Sequence, residues 1–354
     1  MALYHFRDHV PAVGGWLTPA LSQGFLAVDL FFILSGVVIH MNYSALFGRI
    51  GAAGLRKFAV ARFARVVPLH VFMSFLFLAN PLAIVLFSHQ ADYSERYPLA
   101  DFPINLLLVN NWGLTEHPLT WNVPSWSIST EFAAYLLFPL MALLTLRHVR
   151  RPAAALALAV LPLAALAACF AVAGAPTIGH DIARLGIYRC LLQFLAGVGI
   201  GQLLKLAGGP PPPLQAGLLA LAGGLFAAVG FGLGPDYLLC PPAFAALIYA
   251  ITSPTGPVSR FLGSRPLVFL GEISYATYLC HYFVKDWANF LIVRPGIPDI
   301  AVLAAFLTVT LVLSVILNRA VELPSREWIK RGAGRWAAPK KPAAAEPESL
   351  AERR

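Results

Sequence analysis

Runs of about 20 apolar residues recur along the whole chain, separated by short segments that carry the charge. At about 1.5 Å per helical residue, a run of that length crosses a hydrocarbon layer of about 30 Å. The runs lack the period-two alternation of a barrel strand, so the pattern predicts spanning helices. They fall at about 24–45, 66–88, 125–146, 153–173, 185–206, 214–233, 236–253, 266–285 and 299–320. Before them, MALYHF at 1–6 reads as the last turns of one more helix. The expected fold is therefore all-α: a polytopic transmembrane bundle of about ten helices whose first is shortened in this sequence. Residues 1–330 form the membrane-embedded domain, and 331–354 form a basic tail whose last residues, rich in Ala, Glu, Pro and Arg, are expected to be disordered.

Charge sets the sides. Arg49, Arg56, Lys57, Arg62 and Arg65 lie between the first two complete runs with no acid among them, and Arg147, Arg150 and Arg151 follow the third. Arg260, Arg265, Arg326, Lys330, Arg331 and Arg335 fall at alternate connections further on. Lys and Arg accumulate in cytoplasmic connections, so these ends and the C-terminus are expected in the cytoplasm of a bacterial cell, with the protein in its inner membrane. Asp92, Glu95, Asp101 and Glu116, with Trp112 and Trp121, occupy the long connection 89–124 and suit the outer face, as do Asp181, Asp236 and Asp299. Residues 7–23, with Pro11, Gly14, Gly15 and Pro19, read as an outer loop.

Composition agrees and excludes alternatives. The chain is 58% hydrophobic and 12% charged with a mean hydropathy of +0.70, against about 25% charged residues in soluble domains. The net charge of +9 does not point to nucleic acid, because the basic residues sit in short connections and no soluble basic domain accompanies them. Cys169, Cys190, Cys240 and Cys280 all lie in apolar runs without pairing or ligand spacing. Neither a metal site nor a tightly bound cofactor is expected, since metal-ligand spacings, phosphate-cradling glycine loops and nucleophile elbows do not occur.

What is left is histidine, carboxylate and arginine chemistry inside a bundle. Glu131 is an acid within a spanning run, costly unless paired or facing water. On a helix Ser127, Glu131 and Tyr135 form one polar column, with Trp126 beside it. His5, at the outer end of the first helix, is either a neutral imidazole able to take a hydroxyl proton or a hydrogen-bonded structural histidine. Asp29 could orient His5 or cap its own helix. Ser35 and Gly36 would admit a neighbouring helix closely. Arg62 and Arg65, three apart at the cytoplasmic rim, could hold the phosphates of a nucleotide-bearing donor or could be ordinary topogenic charge. Arg189 and Gln193 make a polar pair, and Ser274, Tyr278, His281 and Lys285 draw a polar stripe that would face the bundle interior or serve as interhelical glue. Glu131, in the outer half of its helix at a depth like that of His5 and Asp29, would serve the acceptor side or hold the histidine, or else pair with Arg189.

Seven segments in order, LYHF at 3–6, VDLFFILSG at 28–36, RFARVVPLH at 62–70, PSWSISTEFAAYLLFP at 124–139, YRCLLQFLAG at 188–197, LGEISYATYLCHY at 270–282 and VELP at 321–324, resemble acyltransferase family 3, the integral-membrane acyltransferases of the O-antigen acetylase type. The resemblance implies transfer of an acyl group, usually acetyl, from acyl-CoA to a hydroxyl of a cell-surface or lipid-linked glycan, with acyl-CoA as co-substrate, a glycan or glycolipid as acceptor and membrane lipids around the bundle. It implies His5 as general base or transient acyl carrier, with Glu131 or Asp29 orienting it, and Arg62 and Arg65 at the donor. Trp126, Ser127, Tyr135, Arg189, Tyr278 and His281 would line the substrate pocket. The family's first-helix arginine would fall upstream of Met1, which leads us to expect a start further upstream, and Gln193 stands where the family carries glutamate. A transporter or flippase, or an inactive shortened member, are the competing expectations. Neither 7–23 nor 89–124 contains a motif that names the acceptor.

Overall fold

The computed structural model describes residues 1–9, 21–88, 95–253, 257–293 and 296–337. Among these residues the chain forms helices and connections without a strand. A short α1 (Ala2–Phe6) precedes α2 (Ala27–Tyr43), α3 (Ala52–Leu76), α4 (Ser125–His148), α5 (Pro152–Val172), α6 (Ile182–Ala207), α7 (Pro212–Gly230), α8 (Asp236–Ile251), α9 (Arg265–Leu291), α10 (Asp299–Leu317) and α11 (Leu323–Ala337). Eight helical stretches are long and apolar enough to cross a membrane, and α8 is a shorter apolar helix.

Several boundaries differ from the expected ones. The basic connection at 49–65 is mostly helix: α3 starts at Ala52, because AAGLRKFAVARFARVV is built from good helix formers and a helix continues past the apolar run when propensity supports it. Arg62 and Arg65 thus sit about 15 Å or more along α3 from its first residue rather than at its rim. The expected loop at 7–23 is helical from Leu21 on and turns as a 3₁₀ segment at Arg7–His9. Residues 10–20, with Pro11, Gly14, Gly15 and Pro19, lie outside the described residues, as do 89–94. α9 continues to Leu291, its late charges Lys285 and Asp286 being partnered. α11 runs across position 330 to Ala337, and the expected disordered tail lies outside the described residues.

α6 is the hub and packs on α2, α4 and α5. Its segment AGVGIGQ explains why. Residues 197 and 201, four apart, share one helical face, while 199 points elsewhere. A Cβ on Gly197 would lie 2.1 Å from the Ile33 carbonyl oxygen, and one on Gly36 would lie 2.1 Å from that of Phe194. The backbones of α2 and α6 are therefore in direct contact, as expected of Gly36. Ser35, by contrast, turns to Glu131. Gly199 meets the backbone of α5 at Ala159 in the same manner. Lipid tails are as apolar as leucine, so close packing through small residues is what draws such helices together.

The bundle has two chemically distinct ends. At one, the Lys205 ammonium donates to Ser44 Oγ and the His40 carbonyl, while Gln202 donates to the Val149 carbonyl beside Arg150 and Arg151. At the other, Asp236 accepts from the Ile178 amide, and Glu95, Glu116 and Asp181 border one surface hollow. The connection 95–124 folds over this acidic end and is tied to α9: Arg96 Nη2 lies 2.5 Å from Asp286 Oδ1, Tyr97 donates to Asp286 Oδ2 at 3.0 Å, and Asn80 bridges Asp286 and Trp287. Burial, and next the Asp286 carboxylate, push the Tyr97 hydroxyl up from its ordinary range, so it remains a donor. α1 docks on α9 and α10 through Phe6, whose ring stacks on Phe306 of α10 with centroids 3.9 Å apart.

Candidate functional site

A cavity of about 280 Å³ opens between α2, α3, α4 and α9, lined by Ser35, Arg62, Arg65, Ser127, Glu131, Tyr135, Ser274, Tyr275 and Tyr278 together with apolar residues of α2. The column on α4 faces it along its whole length. At one end, Ser127 Oγ and the Tyr278 hydroxyl are 2.6 Å apart. In the middle, Ser35 Oγ donates to Glu131 Oε1, and the Tyr135 hydroxyl one turn along hydrogen-bonds the same carboxylate. At the end nearer the start of α3, Arg62 donates to the Tyr43 hydroxyl at 2.8 Å, and its guanidinium lies 5.7 Å from the Tyr135 ring centroid. Arg62 Nε is buried and has no partner among the described residues.

Arg65 is held differently. Its guanidinium pairs with Glu322 and lies 5.4 Å from the Tyr275 ring centroid. Glu322 belongs to a single π-helical turn, Asn318–Glu322, between α10 and α11. Such a turn rotates a side chain out of the α register, and here it accompanies an acid that is 1% exposed and also accepts from Asn318 at 3.1 Å.

A second cavity, about 430 Å³, adjoins the first and shares Phe31, Ser274 and Tyr278 with it. Its wall includes Met1, Ala2, Thr277, His281 and Thr310. The His5 ring stands 5.4 Å from that of His281 and 5.3 Å from that of Tyr282, centroid to centroid. Tyr278 and Ser274, two members of the polar stripe on α9, thus form the common wall between an arginine-bearing cavity and a histidine-bearing one.

Three expected relationships are arranged differently. Asp29 is fully buried and lines neither cavity; Arg189 Nε and Nη2 donate to its two oxygens at 2.8 and 2.6 Å, and Gln193 Nε2 adds a third bond at 2.6 Å. Arg189 is therefore partnered with Asp29 and not with Glu131, and it lies in the α2–α6 interface rather than on a cavity wall. Trp126 sits beside this pair, its ring 5.5 Å from the Arg189 guanidinium, and lines neither cavity. Among the described residues neither Asp29 nor Glu131 bonds His5: Glu131 shares its cavity with Arg62 and Arg65, because α3 runs deep enough to bring both guanidinium groups beside it. Ser127, Tyr135, Tyr278 and His281 do line the cavities. Glu322 and the Asp286–Arg96 pair went unassigned in the sequence, and the signal for both was an acid near the end of an apolar run.

A family model described as an acyltransferase domain matches residues 1–319. Acyltransferase MdmB of Streptomyces mycarofaciens is 30% identical over 299 residues, which cover 78% of this chain and 72% of that protein. O-acetyltransferase OatA of Staphylococcus aureus (strain NCTC 8325 / PS 47) is 26% identical over 341 residues, 87% of this chain and 53% of OatA, so the chain spans about half the length of that relative. No solved structure matches it. With the family's domain running through α1 to α10 and including both cavities, the chain belongs to acyltransferase family 3 and is a membrane-helical acyltransferase.

Proposed function

We propose that the protein moves an acyl group, most simply acetyl, from an acyl-CoA thioester to a hydroxyl of a cell-surface or lipid-linked glycan. The observation that carries this reading is the pair of adjoining cavities, one holding Arg62 and Arg65, the other bordered by His281 with His5 beside it, with Tyr278 and Ser274 between them. Guanidinium forks bind phosphate oxygens in a bidentate way, so the first cavity suits the polyanionic donor. The basic ends of the helices support a donor side in the cytoplasm, with the C-terminus on the same side and the protein in the bacterial cell membrane. OatA, named as an O-acetyltransferase, supports an oxygen acceptor.

A thioester is already activated, so the remaining work is positioning and proton transfer. The acceptor hydroxyl oxygen attacks the thioester carbonyl carbon while His5 takes its proton. The new C–O bond forms, the C–S bond breaks, and the proton returns to the departing sulfur, giving free CoA thiol and an ester. Glu131, held by Ser35 and Tyr135, lines the same cavity as the two guanidinium groups and helps to fix the polar wall that the donor meets. Acyl-CoA acts here as a co-substrate.

The test is purified protein in proteoliposomes with labelled acetyl-CoA and a panel of glycan acceptors, reading thiol release and label on the acceptor. Label transfer that His5→Ala abolishes supports the reading. Movement of a glycan across the bilayer without thiol release would favour a transporter instead.

A further inference from the structure

His281 is 1% exposed and borders the second cavity. Its Nδ1 lies 2.8 Å from the Tyr278 carbonyl oxygen and 3.2 Å from that of Thr277, one turn back on the same helix. A carbonyl oxygen only accepts, so Nδ1 carries the proton. In the neutral ring that fixes Nε2 as the lone-pair nitrogen, on the side of the imidazole away from its own backbone contacts. Nε2 is buried and has no partner among the described residues. A buried acceptor left unmatched in the resting protein is costly, and such an arrangement persists most readily where the atom has a use.

The imidazole next to it is that of His5. The two ring centroids are 5.4 Å apart with planes 31° apart; no N–H···N bond joins them at rest, and a rotation of either imidazole would form one of about 3 Å. His281 also follows Tyr278 by one turn, and Tyr278 stands in the wall shared with the arginine-bearing cavity.

We propose that His281 is a second catalytic base that works with His5 as a two-imidazole proton relay. This deepens the acyl-transfer reading and rests on it. When His5 takes the acceptor hydroxyl's proton on one nitrogen, it passes the proton on its other nitrogen to Nε2 of His281. His281 then holds the positive charge at the boundary of the two cavities until the C–S bond breaks. The proton returns through the same two rings or along the Tyr278 and Ser127 hydroxyls, 2.6 Å apart, to the thiolate sulfur. No proton is gained or lost over the cycle, and each imidazole ends neutral.

The test uses the full chain in proteoliposomes with labelled acetyl-CoA. His281→Asn keeps a donor at the position of Nδ1 for the Tyr278 carbonyl and deletes Nε2, so it removes the base and retains the local fold. It should lower kcat for acceptor acylation by about 10² or more with the donor KM unchanged. His281→Ala should lose the same activity and regain part of it with added imidazole, the regained rate following the basicity of substituted imidazoles. A structural role would show neither. His281→Asn with wild-type kcat overturns the relay, and so does a His281→Ala protein that binds donor normally yet ignores imidazole. Absence of thiol release from wild-type protein would instead count against acyl transfer itself.

Discussion

Arg189 grips Asp29 across the α2–α6 interface with two N–H···O bonds of 2.8 and 2.6 Å, and Gln193 closes the remaining approach to the carboxylate. Both charges are almost wholly buried, 0% and 2% exposed. Removing one partner of such a pair leaves a naked buried charge, at a cost of about 3–5 kcal/mol. Asp29→Asn and Arg189→Met should each markedly lower the unfolding temperature of the detergent-solubilised protein, while the double variant should lose much less than the sum. Strictly additive losses would remove the pairing from the account of stability.

The same interface depends on backbone contact at Gly36 and Gly197. A methyl group at either would have to occupy the position of a carbonyl oxygen, so Gly197→Val should prevent accumulation of folded protein. Gly217→Ala on α7, where an added Cβ meets nothing within 4 Å, should be tolerated and even favour the helix by up to about 1 kcal/mol. Comparison of the two by size-exclusion profile separates a packing role from a general aversion to larger residues.

Much of the fold was legible in the apolar runs and little of its interior pairing was. The runs located the helices, since length and hydropathy are local properties, and the charge of the connections distinguished the two ends. The start of α3 was misplaced because hydropathy reports the bilayer and not the helix: LRKFAVAR is a poor membrane segment and a good helical one. The polar column on α4 was legible as i, i+4 spacing, but its partners were not. Asp29 meets Arg189 from 160 positions away, and which acid an arginine reaches depends on how two helices cross, here on Gly36 and Gly197. Glu322 was hidden for a further reason: an α-helical register does not anticipate the π-turn on which it lies.

Arg62 and Arg65 should separate in mutation. Arg62 meets the Tyr43 hydroxyl and has a buried Nε without a partner among the described residues, so Arg62→Ala should raise the donor KM about tenfold or more, the loss of one charge-assisted bond, with little change in unfolding temperature. Arg65→Ala should raise the donor KM and also destabilise the protein by isolating Glu322. Glu322→Gln, which frees Arg65 of its counter-charge, should leave the donor KM equal or lower. A donor KM indifferent to all three would place the donor elsewhere.

The 95–124 connection should respond to Asp286. Replacing it by Asn removes the charge that holds Arg96 while keeping a polar group for Tyr97 and Asn80. Cleavage of the 95–124 connection by an added protease should then speed up, with thiol release from acyl-CoA less affected than acylation of a large acceptor. Unchanged cleavage would show that the aromatic contacts of Trp121 with Tyr97 and Phe102 suffice on their own.

The most direct measurement is sided transfer in oriented proteoliposomes, with labelled acetyl-CoA on one face and a glycan acceptor on the other. Label should reach the acceptor when acetyl-CoA is supplied at the face bearing Lys205 and Arg150, and not when the two are exchanged. It should be lost in His5→Ala and strongly reduced in the Arg62→Ala, Arg65→Ala double variant. Equal transfer from either face, or transfer indifferent to all three residues, would contradict a donor cavity at the arginines and an acceptor cavity at the histidines.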